Sequence, residues 1–233
     1  NLYLKHDEID AAVATIESLY RLDPGLLNEY ILNLNTILDK DFDNTKALYL
    51  LGQCYARKGD HDSALLIFQK LMDKGEYKYV SEAATEISMT NPADVEYVNL
   101  RASSLVMLGK LDEALKVLMD YIKIEPDNMI QLFSSFDLIL CKKPQLFSNI
   151  EPLYKKYKKE DPYVAELALA RAHAYAGAYR RSVNSFEQCL KREDKRVVTK
   201  RALIEVIKEK PDAVPLLLTA ARVFISEGEM EIA

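Results

Sequence analysis

The chain is poor in the residues that interrupt helices, with seven glycines and eight prolines spread through 233 residues. Alanine, leucine, lysine and glutamate are plentiful instead, and that balance favours helix over sheet. Histidine is scarcer still. His6, His61 and His173 lie far apart, so no His-Glu-x-x-His pair exists to hold a catalytic metal. Each glycine stands alone, which excludes a glycine-rich phosphate cradle. Cys54, Cys141 and Cys189 are an odd number at wide spacing, with neither a zinc pattern nor a Cys-x-x-Cys pair. Cys54 and Cys189 fall in apolar rows and read as small core residues, and nothing suggests a disulfide framework. No run approaches the ~18 apolar residues of a membrane span. Positive charge is also in deficit. The net charge of −5 and pI of about 5.4 oppose nucleic acid as the main ligand, because such binders present a basic face. The basic run at Lys155, Lys156, Lys158 and Lys159 reads as a solvated helix face.

Hydrophobic residues make up 49 % of the chain, enough for an ordered core rather than a disordered segment. Their arrangement repeats. Gly59, Gly109, Gly177 and Gly228 each follow an apolar helical stretch, and each is followed five positions later by a small residue: Ala64, Ala114, Ser182 and Ala233. Phe68, Leu118 and Phe186 stand four positions further on. A glycine at such a place supplies the left-handed backbone of a tight helix–helix turn. The small residue lets two helices approach, and the next apolar residue fills their seam. Upstream, Leu48, Leu51, Gly52 and Tyr55 share one helix face. Val98, Ala102 and Leu105 do the same, as do Leu217, Ala220, Ala221 and Phe224. The chain begins at Asn1 and stops inside the pattern at Ala233, so a fragment of a longer protein is expected.

With these residues in hand, the segment from Thr45 to Lys78 resembles a tetratricopeptide repeat, a helix–turn–helix of about 34 residues. Leu48, Leu51-Gly52, Tyr55, Gly59, Ala64 and Phe68 stand at the pattern positions, with Glu76 in place of the closing proline. Residues 95–128 resemble a second copy through Gly109, Ala114, Leu118 and Pro126. Residues 163–194 resemble a third through Gly177, Tyr179, Ser182 and Phe186, and 214–233 a truncated fourth. Residues 1–24 resemble the second helix of a further copy, through Ala12 and Pro24. Residues 129–162 read as a degenerate pair, with Lys143-Pro144 at the turn and a kink or break expected near Pro152.

Thr45 and Val95 are 50 residues apart, so an extra helix is expected over 79–90, with Val80, Ala84 and Ile87 on one face. A similar one is expected over 196–208, and residues 25–39 read as a further lone helix. The resemblance therefore implies one all-α domain over 1–233, a right-handed α-solenoid of stacked antiparallel helix pairs with inserted single helices. It also implies a non-catalytic scaffold that takes a peptide segment or partner helix on its concave face and needs no cofactor. The sequence leaves the compartment unknown; a soluble chain is expected, with the cytoplasm weakly favoured.

Carried over position by position, the resemblance places partner contacts at Tyr49, Gln53 and Arg57 in the first copy. Asn99, Ser103 and Met107 follow in the second, Arg171 and Tyr175 in the third, and Arg222 in the fourth. The family's clamp for chaperone carboxylate tails uses Lys and Asn where this chain has Tyr49 and Gln53, then Asn99 and Ser103, so tail binding of that kind is not expected. His173 occupies a tyrosine position and reads as structural. Asp39, Asp41, Asp43 and Asn44 look briefly like a calcium loop, but Asn44 and Leu50 stand where glycine and glutamate are required. The alternative is a polar loop whose Asp43 or Asn44 caps the next helix. Two other functions stay open: self-association or packing against other domains of a parent protein, and RNA binding by a related helical repeat, which the acidic balance opposes.

Overall fold

The computed structural model describes residues 6–226. Among these, every regular element is helical. In order they are α1 (His6–Leu22), α2 (Leu27–Leu38), α3 (Thr45–Lys58), α4 (His61–Asp73), α5 (Tyr77–Thr90), α6 (Val95–Met107) and α7 (Leu111–Ile124). Then come α8 (Phe133–Lys142), α9 (Phe147–Tyr157), α10 (Pro162–Tyr175), α11 (Tyr179–Leu190), α12 (Arg196–Glu209) and α13 (Val214–Ser226). The fold is all-α, of the helical-repeat solenoid class, and the chain divides into two compact units, 1–110 and 111–233. Gly228 and Ala233 of the expected fourth copy lie outside the described residues.

The turns follow from backbone chemistry. Gly59, Gly109 and Gly177 have φ of 85°, 76° and 76°, the left-handed region that side-chain-bearing residues resist. At each, two backbone bonds close the helix end: Gly59 N–H donates to Ala56 and Asp60 N–H to Tyr55, and the other two repeat this geometry. Gly75, which the repeat pattern does not single out, ends α4 in the same way at φ 81°. At the start of α3, Asn44 Oδ1 accepts from Ala47 N–H at 2.9 Å while its Nδ2 donates to Asp41 at 3.0 Å. The acidic loop is thus organised around a helix cap.

In the first unit α3 is central. One side of it joins Ile9, Val13, Ile16 and Tyr20 of α1 and Tyr30, Leu34 and Ile37 of α2 through Leu50, Leu51 and Cys54. Its other side, through Leu48 and Ala56, joins Ala64, Phe68 and Leu71 of α4, Val80 and Ala83 of α5 and Tyr97 of α6. Gly52 explains how closely α3 and α4 pack. A methyl group there would sit 2.6 Å from Phe68 Cε1, so only glycine leaves room for the ring.

In the second unit α10 is the helix that others surround. It packs against α8, α9, α11 and α12, and its alanines 165, 168, 170, 172 and 174 are all buried. Helix apolarity on every side is what such a position requires. Ser182 fills the small-residue position of the α10–α11 seam, and its hydroxyl donates to the Ala170 carbonyl at 2.7 Å. Helix α9 runs from Phe147 to Tyr157 with Pro152 inside it, so of the kink or break expected there the chain shows no break.

Helices α5 and α12 differ from the lone insertions expected of them. Helix α5 packs against α6 and also contacts α3; α12 packs against α13 and also contacts α10. The side-chain bonds linking these helices join residues about one repeat apart in sequence: 33 for Gln53–Glu86, and 34 for Arg171–Glu205. Spatially, α5 and α12 therefore stand where the first helix of the next repeat would stand.

Candidate partner-binding surfaces

Three groups of side chains emerge from this stacking. The first lies between α3 and α5. Gln53, only 6 % exposed, donates from Nε2 to Glu86 Oε2 at 2.7 Å and to the Tyr49 hydroxyl at 3.1 Å. The Tyr49 ring packs on Tyr79 at 5.0 Å, and burial pushes its hydroxyl pKa up to about 12. Arg57, at the exposed end of α3, places its guanidinium 4.3 Å from the centre of the Tyr20 ring on α1. Tyr49 and Gln53 are thus committed to joining helices.

The second group crosses three helices of the second unit. Arg171 on α10 donates from Nε to Asp137 Oδ2 of α8 at 2.6 Å and from Nη1 to Glu205 Oε2 of α12 at 2.9 Å. Asp137 is buried, and its Oδ1 has no hydrogen-bond partner among the described residues. Burial raises its pKa to about 6 against the pull of Arg171. For Arg171 burial is again the largest single influence and works against its charge, but the Asp137 and Glu205 carboxylates together more than compensate and raise its pKa. Tyr175, one turn along α10, is 2 % exposed, and burial first, then the Glu209 carboxylate of α12, raises its pKa. Arg171 and Tyr175 therefore face neighbouring helices, and the residues they meet were not singled out in the sequence. The 34-residue steps from Asp137 to Arg171 to Glu205 were the available signal.

His173, on the same helix, is buried against Phe147 at 5.0 Å, with both ring nitrogens unpartnered among the described residues. Burial lowers its pKa, which favours the neutral ring. Arg222 on α13 lies along its own helix, donating to Leu218 O and Thr219 Oγ1.

The third group is a cleft between α4 and α6. Leu65, Leu66, Met72 and Leu100 supply its apolar lining; Asp62, Gln69, Glu96, Asn99 and Ser103 supply the polar part. Its volume is about 530 Å³, within the range of natural binding sites. His61 Nδ1 and the buried Tyr97 hydroxyl, 3.1 Å apart, pin the two helices beside it. Asn99 and Ser103 are thus the two sequence-predicted residues that share a cavity, and Met107 is exposed one turn beyond them. Leu66 and the two carboxylates were missed because Asp62 and Leu66 sit on α4 and Glu96 in the first turn of α6, away from the positions that the repeat pattern carries over.

Residues 46–74, helix α3 to the end of α4, match the family described as the tetratricopeptide repeat. The chain carries a tetratricopeptide repeat. No curated protein matches it. Among solved structures it is similar to a tetratricopeptide repeat protein from Parabacteroides merdae at 15 % identity. That match covers 97 % of this chain and 89 % of the other, with a TM-score of 0.45. It is also similar to a thermophilic repeat protein of the same kind in Thermus thermophilus, at 18 % identity, covering 84 % and 99 %, with a TM-score of 0.39. The repeat supports a protein–protein interaction scaffold in general terms, and repeat proteins of this kind are generally non-catalytic. Among the described residues, no helix is long and apolar enough to cross a membrane.

Proposed function

We propose that the chain is a scaffold that holds a peptide segment or partner helix of another protein, and that in the first unit the contact is made in the α4–α6 cleft. The observation that carries this reading is the cleft itself. It gathers partly exposed apolar side chains beside Asn99 and Ser103, whereas Gln53 and Tyr175 are buried in helix–helix contacts. Interface centres combine apolar area with a few polar groups in this way. Arg57 and Met107 remain exposed and extend the available surface of this unit beyond the cleft.

A photo-crosslinking amino acid placed at Leu66, which is 74 % exposed, tests the site directly. The same group at Leu32 on α2, 68 % exposed, is the control. In native lysate the Leu66 position is expected to trap a discrete protein adduct that the Leu32 position does not. Identical adducts from both positions, or none from Leu66, would overturn the assignment.

A further inference from the structure

The charges at the α4–α6 cleft narrow what can enter it. Asp62 and Glu96 are both exposed, and among the described residues neither carboxylate has an ion-pair or hydrogen-bond partner. No lysine or arginine lines the cleft. Lys70, the basic residue of α4, is drawn away, donating to Phe42 O at 2.8 Å and lying over the Phe42 ring. The site is therefore an apolar cleft flanked by two unpaired negative charges, on a chain whose net charge is already −5.

We propose that the occupant is a basic amphipathic segment, one that inserts an aliphatic side chain among Leu65, Leu66, Met72 and Leu100 and sets lysine or arginine against Asp62 and Glu96. This rests on the reading of the cleft as a partner site and adds the chemistry of the partner. An acidic segment would bring like charges together, and a neutral one would leave two carboxylates partly desolvated without a counter-charge. A basic segment meets opposite charge at both and is steered by the field of the chain as it approaches. Met72 favours an occupant with an irregular apolar surface, because its unbranched side chain adapts to shape. The cleft is flanked by exposed side chains along α4, which suits a chain segment laid across two helices better than an enclosed small molecule.

The test is fluorescence anisotropy on the full chain with three fluorescein-labelled eight-residue peptides: alternating lysine and leucine, alternating glutamate and leucine, and alternating lysine and serine. The lysine–leucine peptide is expected to bind at least roughly tenfold more tightly than either of the others, with affinity falling as salt rises. The double variant Asp62→Lys with Glu96→Lys should weaken it by roughly tenfold or more. Leu66→Ser should weaken it as well. Because these three residues are exposed, the variants are expected to fold, and circular dichroism checks this. A distal double reversal, Glu29→Lys with Asp39→Lys, changes net charge equally and should leave affinity within about twofold. If the distal pair weakens binding as much as the cleft pair, attraction is general and the proposal is overturned. If lysine–leucine and glutamate–leucine peptides bind equally and both depend on Leu66, the cleft reading stands and the basic partner is refuted. If no peptide binds in a Leu66-dependent way, the cleft reading falls with it.

Discussion

Replacing Arg171 with methionine should expose the electrostatic cost of the α8–α10–α12 connection. Methionine keeps an unbranched apolar stem but removes the guanidinium that serves both Asp137 and Glu205. Glu205 is largely exposed, so losing that arm should cost at most about 1 kcal/mol. Asp137 is different. Its carboxylate is buried, one oxygen already lacks a partner among the described residues, and stranding a buried charge typically costs about 3–5 kcal/mol.

The cost depends on pH. Asp137 has a pKa of about 6 in the folded chain, above the ~3.9 of an unfolded aspartate. The stability associated with its neutral form is therefore fully present below about pH 4 and is lost as pH rises through 6. A shift of that size corresponds to at most about 3 kcal/mol in the wild type. Without Arg171 the pKa should climb further, so the penalty at pH 7.5 grows while the carboxyl at pH 4.5 simply stays protonated. Urea unfolding followed by circular dichroism at 222 nm should show Arg171→Met destabilised by about 3–5 kcal/mol at pH 7.5 and by roughly 1 kcal/mol at pH 4.5, each against wild type at the same pH. Adding Asp137→Asn should recover most of the loss at pH 7.5. Equal destabilisation at both pH values, or no rescue by asparagine, would refute the reasoning.

Two other consequences can be measured independently. Gly52→Ala places a methyl group 2.6 Å from Phe68 Cε1, so thermal or urea unfolding should show a loss of about 1–3 kcal/mol; an unchanged midpoint would mean that α3 and α4 separate more easily than their packing suggests. Burial pushes the Cys54 and Cys189 thiols up to about 11 and 12, whereas Cys141 is only half-buried, so a thiol reagent at pH 8 should label one cysteine per folded chain quickly, identified as Cys141 by peptide mapping. Rapid labelling of all three would contradict the packing described for α3 and α11.

Local order was legible in the sequence because it depends on nearby residues. The glycine turns at Gly59, Gly109 and Gly177, the cap at Asn44 and the helical faces of α3, α10 and α13 all arise from backbone preference and short-range periodicity. The repeat itself was readable for the same reason, since Gly52 and Phe68 lie close in sequence and make contact across a single turn.

Which helix each face meets was settled only by tertiary packing. The sequence of α6 reads as the first helix before a Gly109 turn, yet α6 packs against α5 and lines a cleft with α4, and the division into units falls just after that turn. Tyr49, Gln53, Arg171 and Tyr175 have the composition of a binding surface, but Gln53 and Arg171 bond across helices one repeat apart, Tyr49 packs on Tyr79 of α5, and Tyr175 is buried. Asp62, Leu66 and Glu96 look like ordinary solvated residues until stacking places α4 beside α6. Periodicity within a helix states which residues share a face; only the three-dimensional stack decides whether that face meets another helix or remains open to a partner.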